Sequence, residues 1–177
     1  MKKKTLILCS YLVGCILVFL AIFFTVAHLV FAYYAGEKTF QKEGLSITLT
    51  RDFKEKDNEG YTAYYYSHNM GVWTYKTEFS LLDPTWLAEN GTCEAYAEFI
   101  KNDYKMVHDS TSELYTDNGL IYFTFDTPSR TTESRYFISV YQSNDAFWLL
   151  LIGCEKAEYK TLQSDIIGYA QSVSWEG

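Results

Sequence analysis

The chain has 177 residues, a length suited to one folded domain, and 15 basic against 22 acidic residues give it a net charge of −7. Lys2, Lys3 and Lys4 supply three of the bases, so 12 bases face 22 acids beyond them, a net of −10. An acidic body excludes nucleic acid as a partner, because phosphate binding needs a basic surface. A composition of 48% apolar and 18% aromatic residues excludes disorder, and 10 Gly with 4 Cys exclude collagen-like and disulfide-dense classes.

Thr5 to Gly36 is a run of 32 uncharged residues, with His28 counted as neutral. A membrane-spanning helix needs about 20 such residues, and a secretory apolar region has roughly 7–15. The run predicts an uncleaved anchor, with the lysines held in the cytoplasm and Phe31, Tyr33 and Tyr34 at the far interface. The expected organisation is a cytoplasmic tail over 1–4, a transmembrane anchor over 5–34, a short linker over 35–44 and an extracytoplasmic domain over 45–177. A single-pass protein of the cell membrane is expected. Two other fates compete. Val30-Phe31-Ala32 has signal-peptidase spacing, with cleavage after Ala32. Leu12-Val13-Gly14-Cys15 resembles a lipobox with Cys15 lipidated, although Ile16 to Phe24 lacks the polar sequence that normally follows. Ser10 and Gly14 are a weak helix-pairing signal.

Leu45, Ile47 and Leu49 alternate with polar residues and predict a half-buried strand. Asp52 to Gly60 reads as a charged loop. Tyr61 to Ser67 and Val72 to Phe79 read as strands joined by a turn at Asn69-Met70-Gly71. Asp83-Pro84 starts a short helix that Asn90-Gly91 stops. Thr92 caps a second, with Cys93, Tyr96, Phe99, Ile100 and Tyr104 on one face. A strand around Met106 to Tyr115, a hairpin turn at Asn118-Gly119 and a strand over Leu120 to Phe125 follow. Asp126 to Glu133 reads as a polar loop. Strands over Arg135 to Gln142 and Ala146 to Cys154 come next, the second central because Phe147 to Ile152 is apolar on both faces. The last helix spans about Lys156 to Ser172. Its stripe is Tyr159, Leu162, Ile166, Tyr169 and Val173, with Gly168 as a close-packing position. The fold class is α+β: a central, mainly antiparallel sheet of about six to seven strands flanked by helices, preceded by one transmembrane helix.

Several strings carry a resemblance. They are Gly44 to Leu49, Asn118 to Thr124, Ala146-Phe147-Trp148 and the terminal Ala170-Gln171-Ser172-Val173. Over about residues 40–175 the chain resembles the PsbP-like superfamily, which includes many small membrane-anchored bacterial proteins. The resemblance implies a central antiparallel sheet flanked by helices and a non-catalytic binding or accessory role. It transfers no functional residue.

No nucleophile elbow, zinc-protease helix or phosphate loop occurs, and His68 and His108 have no metal-ligand spacing, so no enzyme activity, metal or cofactor is expected. The four carboxylates of Asp52 to Glu59 lack the ligand order of a calcium loop. Cys93 and Cys154 are the two cysteines of the outer domain. Oxidised, they would close 61 residues and stabilise by roughly 4 kcal/mol; reduced, they are two buried thiols. Tyr64 and Tyr66 share a strand face and either stack on a sugar or a protein partner or lie in the core. The expected role is a membrane-anchored extracytoplasmic binding or accessory module with a membrane-protein partner. The alternatives are a cell-surface glycan- or wall-binding protein and a hydrolase with an unrecognised site.

Overall fold

The computed structural model describes residues 2–128 and 132–175, with side chains in the first helix from Cys15 onward. It divides into two units, Met1–Glu37 and Lys38–Gly177. The first is helix α1 (Lys2–Tyr34), whose stretch Cys15–Tyr34 is long and apolar enough to cross a membrane or act as a signal sequence. From Cys15 to Tyr34 its side chains are exposed and, Thr25 and His28 aside, mainly apolar on every side. The Thr25 hydroxyl donates to the Ala21 carbonyl at 2.8 Å, so this polar group is satisfied within the helix. Met1 and the side chains of residues 2–14 lie outside the described residues, and with them the pairing signal of Ser10 and Gly14.

In the second unit, β1 (Glu37–Lys42) and β2 (Leu45–Thr50) meet at a two-residue turn in which Glu43 and Gly44 both have positive φ, 50° and 87°. With β10 (Ser174–Trp175) they form a three-stranded sheet in the order β1-β2-β10. The main sheet has seven strands: β3 (Lys54–Glu55), β4 (Ala63–Tyr66), β5 (Met70–Glu78), β6 (Tyr115–Asp117), β7 (Leu120–Pro128), β8 (Glu133–Gln142) and β9 (Ala146–Glu155). Their order is β3-β4-β5-β9-β8-β7-β6, with every neighbouring pair antiparallel. Helices α2 (Pro84–Asn90) and α3 (Cys93–Val107) precede β6, and α4 (Tyr159–Gln171) follows β9.

Strand β9 is the central strand expected from its apolar run. Phe147, Leu149 and Leu151 point to one face and Trp148, Leu150 and Ile152 to the other, all buried. The Trp148 face packs against α4 and the small sheet, through Leu45, Ile47, Leu49, Ile166 and Tyr169. The Phe147 face packs against α3 and α2, with Tyr96 stacked on Phe147 at 4.2 Å and Trp86 and Leu87 alongside. Each fully buried side chain of this size contributes about 1.5–3 kcal/mol.

The helix starts follow the capping residues. Asp83 Oδ1 accepts from the Thr85 and Trp86 amides at 2.9 Å, and Thr92 Oγ1 accepts from the Ala95 amide at 3.2 Å.

The structure departs from the sequence pattern in six places. The charged loop expected over Asp52 to Gly60 contains the two-residue strand β3. The expected linker over 35–44 contains β1, and its Phe40 is buried in the core. The strand expected over Met106 to Tyr115 is mostly absent. Helix α3 runs to Val107, and the Ser112 and Ser110 hydroxyls accept from the Thr124 and Asp126 amides of β7 at 3.0 and 2.8 Å, replacing a strand with side-chain bonds. Of the polar loop expected over Asp126 to Glu133, Asp126 to Pro128 and Glu133 are strand, where Asp126 and Arg135 are cross-strand partners joined by a two-pronged ion pair at 2.7 and 2.9 Å. The centre of that segment, 129–131, lies outside the described residues. Gly168 faces open space, where a Cβ would meet nothing within 4 Å, so it is not a close-packing position. The short edge strand β10 follows α4 and pairs Ser174 with Ser46.

Asp126 also receives Lys156 Nζ at 3.0 Å, and Lys156 bridges to Glu133 at 2.8 Å. Hydrogen bonding from Arg135, opposed by partial burial and aided by Lys156, holds the Asp126 carboxyl below the usual carboxylate range. An acid lowered by folding stabilises the fold above its unfolded value of about 3.9, and that contribution is lost as pH falls through the folded value. Urea unfolding of the full chain in detergent should therefore weaken with acid below about pH 4. Asp126→Asn should be less stable at neutral pH and show a flatter acid limb; an unchanged limb in the variant would assign the acid loss elsewhere.

Candidate functional site

The antiparallel register lines up one row across five strands: Tyr66, Gly71, Gly153, Tyr136 and Phe125. The next row on the same face is Tyr64, Trp73, Leu151, Ile138 and Phe123. Two glycines thus face each other in the middle of a face otherwise built of large side chains. Strand glycines of this kind allow close approach from above. Neighbouring aromatics supply it. A Cβ on Gly71 would lie 2.4 Å from Trp73 Cη2 and 2.9 Å from both Cζ2 and Cζ3. Near-equal distances of this kind mean that the face of the indole, not its edge, covers the glycine. A Cβ on Gly153 would lie 2.7 and 2.9 Å from Tyr136 Cε1 and Cδ1, and 3.2 Å from Trp73 Cζ3.

The result is a continuous aromatic shelf. Tyr66 stacks on Tyr64 at 5.9 Å, Tyr64 on Trp73 at 5.0 Å with planes 10° apart, Trp73 meets Tyr136 at 6.1 Å, and Tyr136 stacks on Phe125 at 5.0 Å. Tyr64, Trp73 and Tyr136 are half-buried, and Tyr66 is 37% exposed. Helix α3 covers this sheet face over β7 and β8, with Tyr104 against Phe123 and Phe125. Over the two glycines lies an open depression of about 460 Å³.

The depression is bounded by the β4–β5 turn, Ser67 to Asn69, and by the end of β9 and the start of α4, Glu155 and Glu158. Its lining includes these two carboxylates, both exposed, and no lysine or arginine. Glu155 pairs with Ser134 and sits two residues beyond Gly153, so its side chain leaves on the shelf face. The Ser67 hydroxyl donates to Asn69 Oδ1 at 3.2 Å and the Met70 carbonyl at 3.5 Å, which ties down the turn rather than arming a nucleophile. Among the described residues no group of His, Cys, Asp and Glu has metal-binding geometry.

The overall comparison is one of shape. The domain aligns with cyanobacterial PsbP (CyanoP) from Synechocystis sp. PCC 6803 at a TM-score of 0.53 and 11% identity, covering 80% of this chain and 94% of that one. The domain has a PsbP-like fold. A protein from Bacteroides thetaiotaomicron VPI-5482 aligns to the PsbP-like domain at a TM-score of 0.50 and 10% identity, over 81% of this chain and 49% of that one. LpqN of Mycobacterium tuberculosis, involved in cell envelope biogenesis, aligns at 0.47 and 10%, over 80% and 91%. No family model matches the chain, and no curated protein matches it in sequence.

Of the residues singled out by sequence, Tyr64 and Tyr66 lie on the shelf of the PsbP-like domain. Trp73, Tyr136, Gly71, Gly153, Glu155 and Glu158 join them there unforeseen. The available signal was the pair of glycines inside aromatic strands. Its meaning depended on register, which sets Gly71 against Gly153.

Cys93 and Cys154 are not brought together. Cys93 packs on the α3 side of the sheet, its thiol donating to the Val140 carbonyl at 3.4 Å, and Cys154 belongs to the core on the α4 side. Val140 pairs with Leu149, so the thiols are also offset by five residues along β9, roughly 17 Å. A disulfide spans far less. Both are free thiols, and burial pushes each up to about 11. Alkylation of the full chain in denaturant without reductant should label both cysteines, with slow labelling of the native protein at neutral pH. A mass two hydrogens short at this pair would contradict the placement.

Proposed function

We propose that the chain is a membrane-anchored extracytoplasmic binding module that holds a cell-surface glycan on the shelf of Tyr66, Tyr64, Trp73 and Tyr136. The observation that carries the reading is the open depression of about 460 Å³ over Gly71 and Gly153, walled by the half-buried rings of Trp73 and Tyr136. Sugar rings present apolar C–H faces that stack on such platforms, and their hydroxyls need polar groups at the margin. Ser67, His68, Asn69 and Ser134 supply these. Anchoring is supported by the apolar stretch Cys15–Tyr34 behind three lysines, a charge asymmetry that favours an outside domain. The module is read as non-catalytic because the sequence carries no catalytic motif.

A second reading keeps the membrane-protein partner. Phe99, Met106 and Val107 of α3 are 53%, 79% and 75% exposed, an apolar group of the kind that marks protein contacts.

Full-length protein in nanodiscs should bind soluble wall polysaccharide with a change in tryptophan emission. Trp73→Ala should weaken binding about ten-fold or more, with the fold kept by circular dichroism. Binding unchanged in Trp73→Ala would reject the shelf. If no polysaccharide binds and a stoichiometric membrane protein co-purifies in a manner sensitive to Met106→Glu, the accessory-module reading replaces the glycan reading.

A further inference from the structure

The shelf has a charge as well as a shape, and the charge narrows the ligand. We infer that the bound glycan is a linear amino-sugar polymer whose amines are free and protonated, its sugar rings lying on Trp73 and Tyr136 and its ammonium groups meeting Glu155 and Glu158. This inference rests on the glycan reading above and specifies its chemical class.

Three observations carry it. The aromatic rings form a strip from Tyr66 and Tyr64 on β4 through Trp73 on β5 to Tyr136 on β8, crossing β9 at Gly153, with centroid steps of 5.0 to 6.1 Å. A row of rings at this spacing suits a chain of repeating flat units better than a single small molecule. The carboxylates are gathered on one margin. Glu155 leaves the sheet one pleat beyond Gly153, and Glu158 stands at the start of α4. No cationic side chain lines the depression to neutralise them, although ion pairs hold the nearby Lys156 to Asp126 and Glu133. The part-exposed rings of Trp73 and Tyr64 also favour cations, through the negative charge of the ring face. An acidic polysaccharide would meet like charge on this margin, and an N-acetylated one would leave both carboxylates without a cationic partner. A free amine satisfies the carboxylates and the ring faces together.

The test compares four probes on the full chain in zwitterionic nanodiscs: hexamers of glucosamine, N-acetylglucosamine, glucose and lysine. The glucosamine hexamer should bind about ten-fold more tightly than the acetylated and neutral sugars. Glu155→Gln with Glu158→Gln should reduce that preference to about two-fold without abolishing sugar binding, and Trp73→Ala should abolish all of it. Equal binding of the three sugars overturns the amine inference and leaves the glycan reading standing. Absence of binding by any sugar overturns both. Lysine hexamer binding as tight as the glucosamine hexamer, and unaffected by Trp73→Ala, would mean attraction to the acidic domain at large and overturn the inference.

Discussion

Strand β9 is buried on both faces, and the placement of the other elements follows from that constraint. A strand apolar on both sides must be flanked by other strands and covered twice. Strands β5 and β8 flank it in full register, nine and nine residue pairs long. Helix α4 and the small sheet close one face, and α2 and α3 close the other. The two covers are made by different parts of the chain, so the domain closes only when its beginning and end meet. Ser172 Oγ accepts from the Thr48 amide at 3.0 Å and donates to the Thr48 carbonyl at 3.1 Å, which joins the end of α4 to β2.

The same strand loses its side chain at Gly153, and there the double cover stops. Trp73 and Tyr136 fold down over the glycines instead of a helix. The half-buried indole is therefore part of the fold's own closure. Its orientation is fixed by packing on the Gly71 and Gly153 backbone and on the Tyr64 ring. Polar residues of the β4–β5 turn and the β9–α4 connection surround it because both connections end on the same edge of the sheet.

Polar ladders did as much as apolar ones at the sheet's far end. Asp126 and Arg135 extend β7 and β8 into a segment that reads as loop by composition, and Ser110 and Ser112 take the hydrogen bonds that a strand would otherwise supply. Local patterns cannot reveal such substitutions, since each depends on a partner far along the chain. The linker containing β1 was missed for the same reason. Only Phe40 within it is buried, and that burial exists only once the small sheet docks.

The sequence by itself determined the apolar helix, the acidic domain, the central strand, the helix caps at Asp83 and Thr92 and the turn at Asn118-Gly119. Each is written in composition, period or a short capping motif, all of which act within a few residues. It also marked Tyr64 and Tyr66 as a shared face, because strand alternation alone settles which side chains point together. Only the tertiary structure decided what lies beside them. Register set Gly71 against Gly153 and Trp73 against Tyr64, helix placement left that patch uncovered, and the two faces of the sheet kept Cys93 from Cys154. These are long-range pairings, and a one-residue slip would send every one of these side chains to the other face.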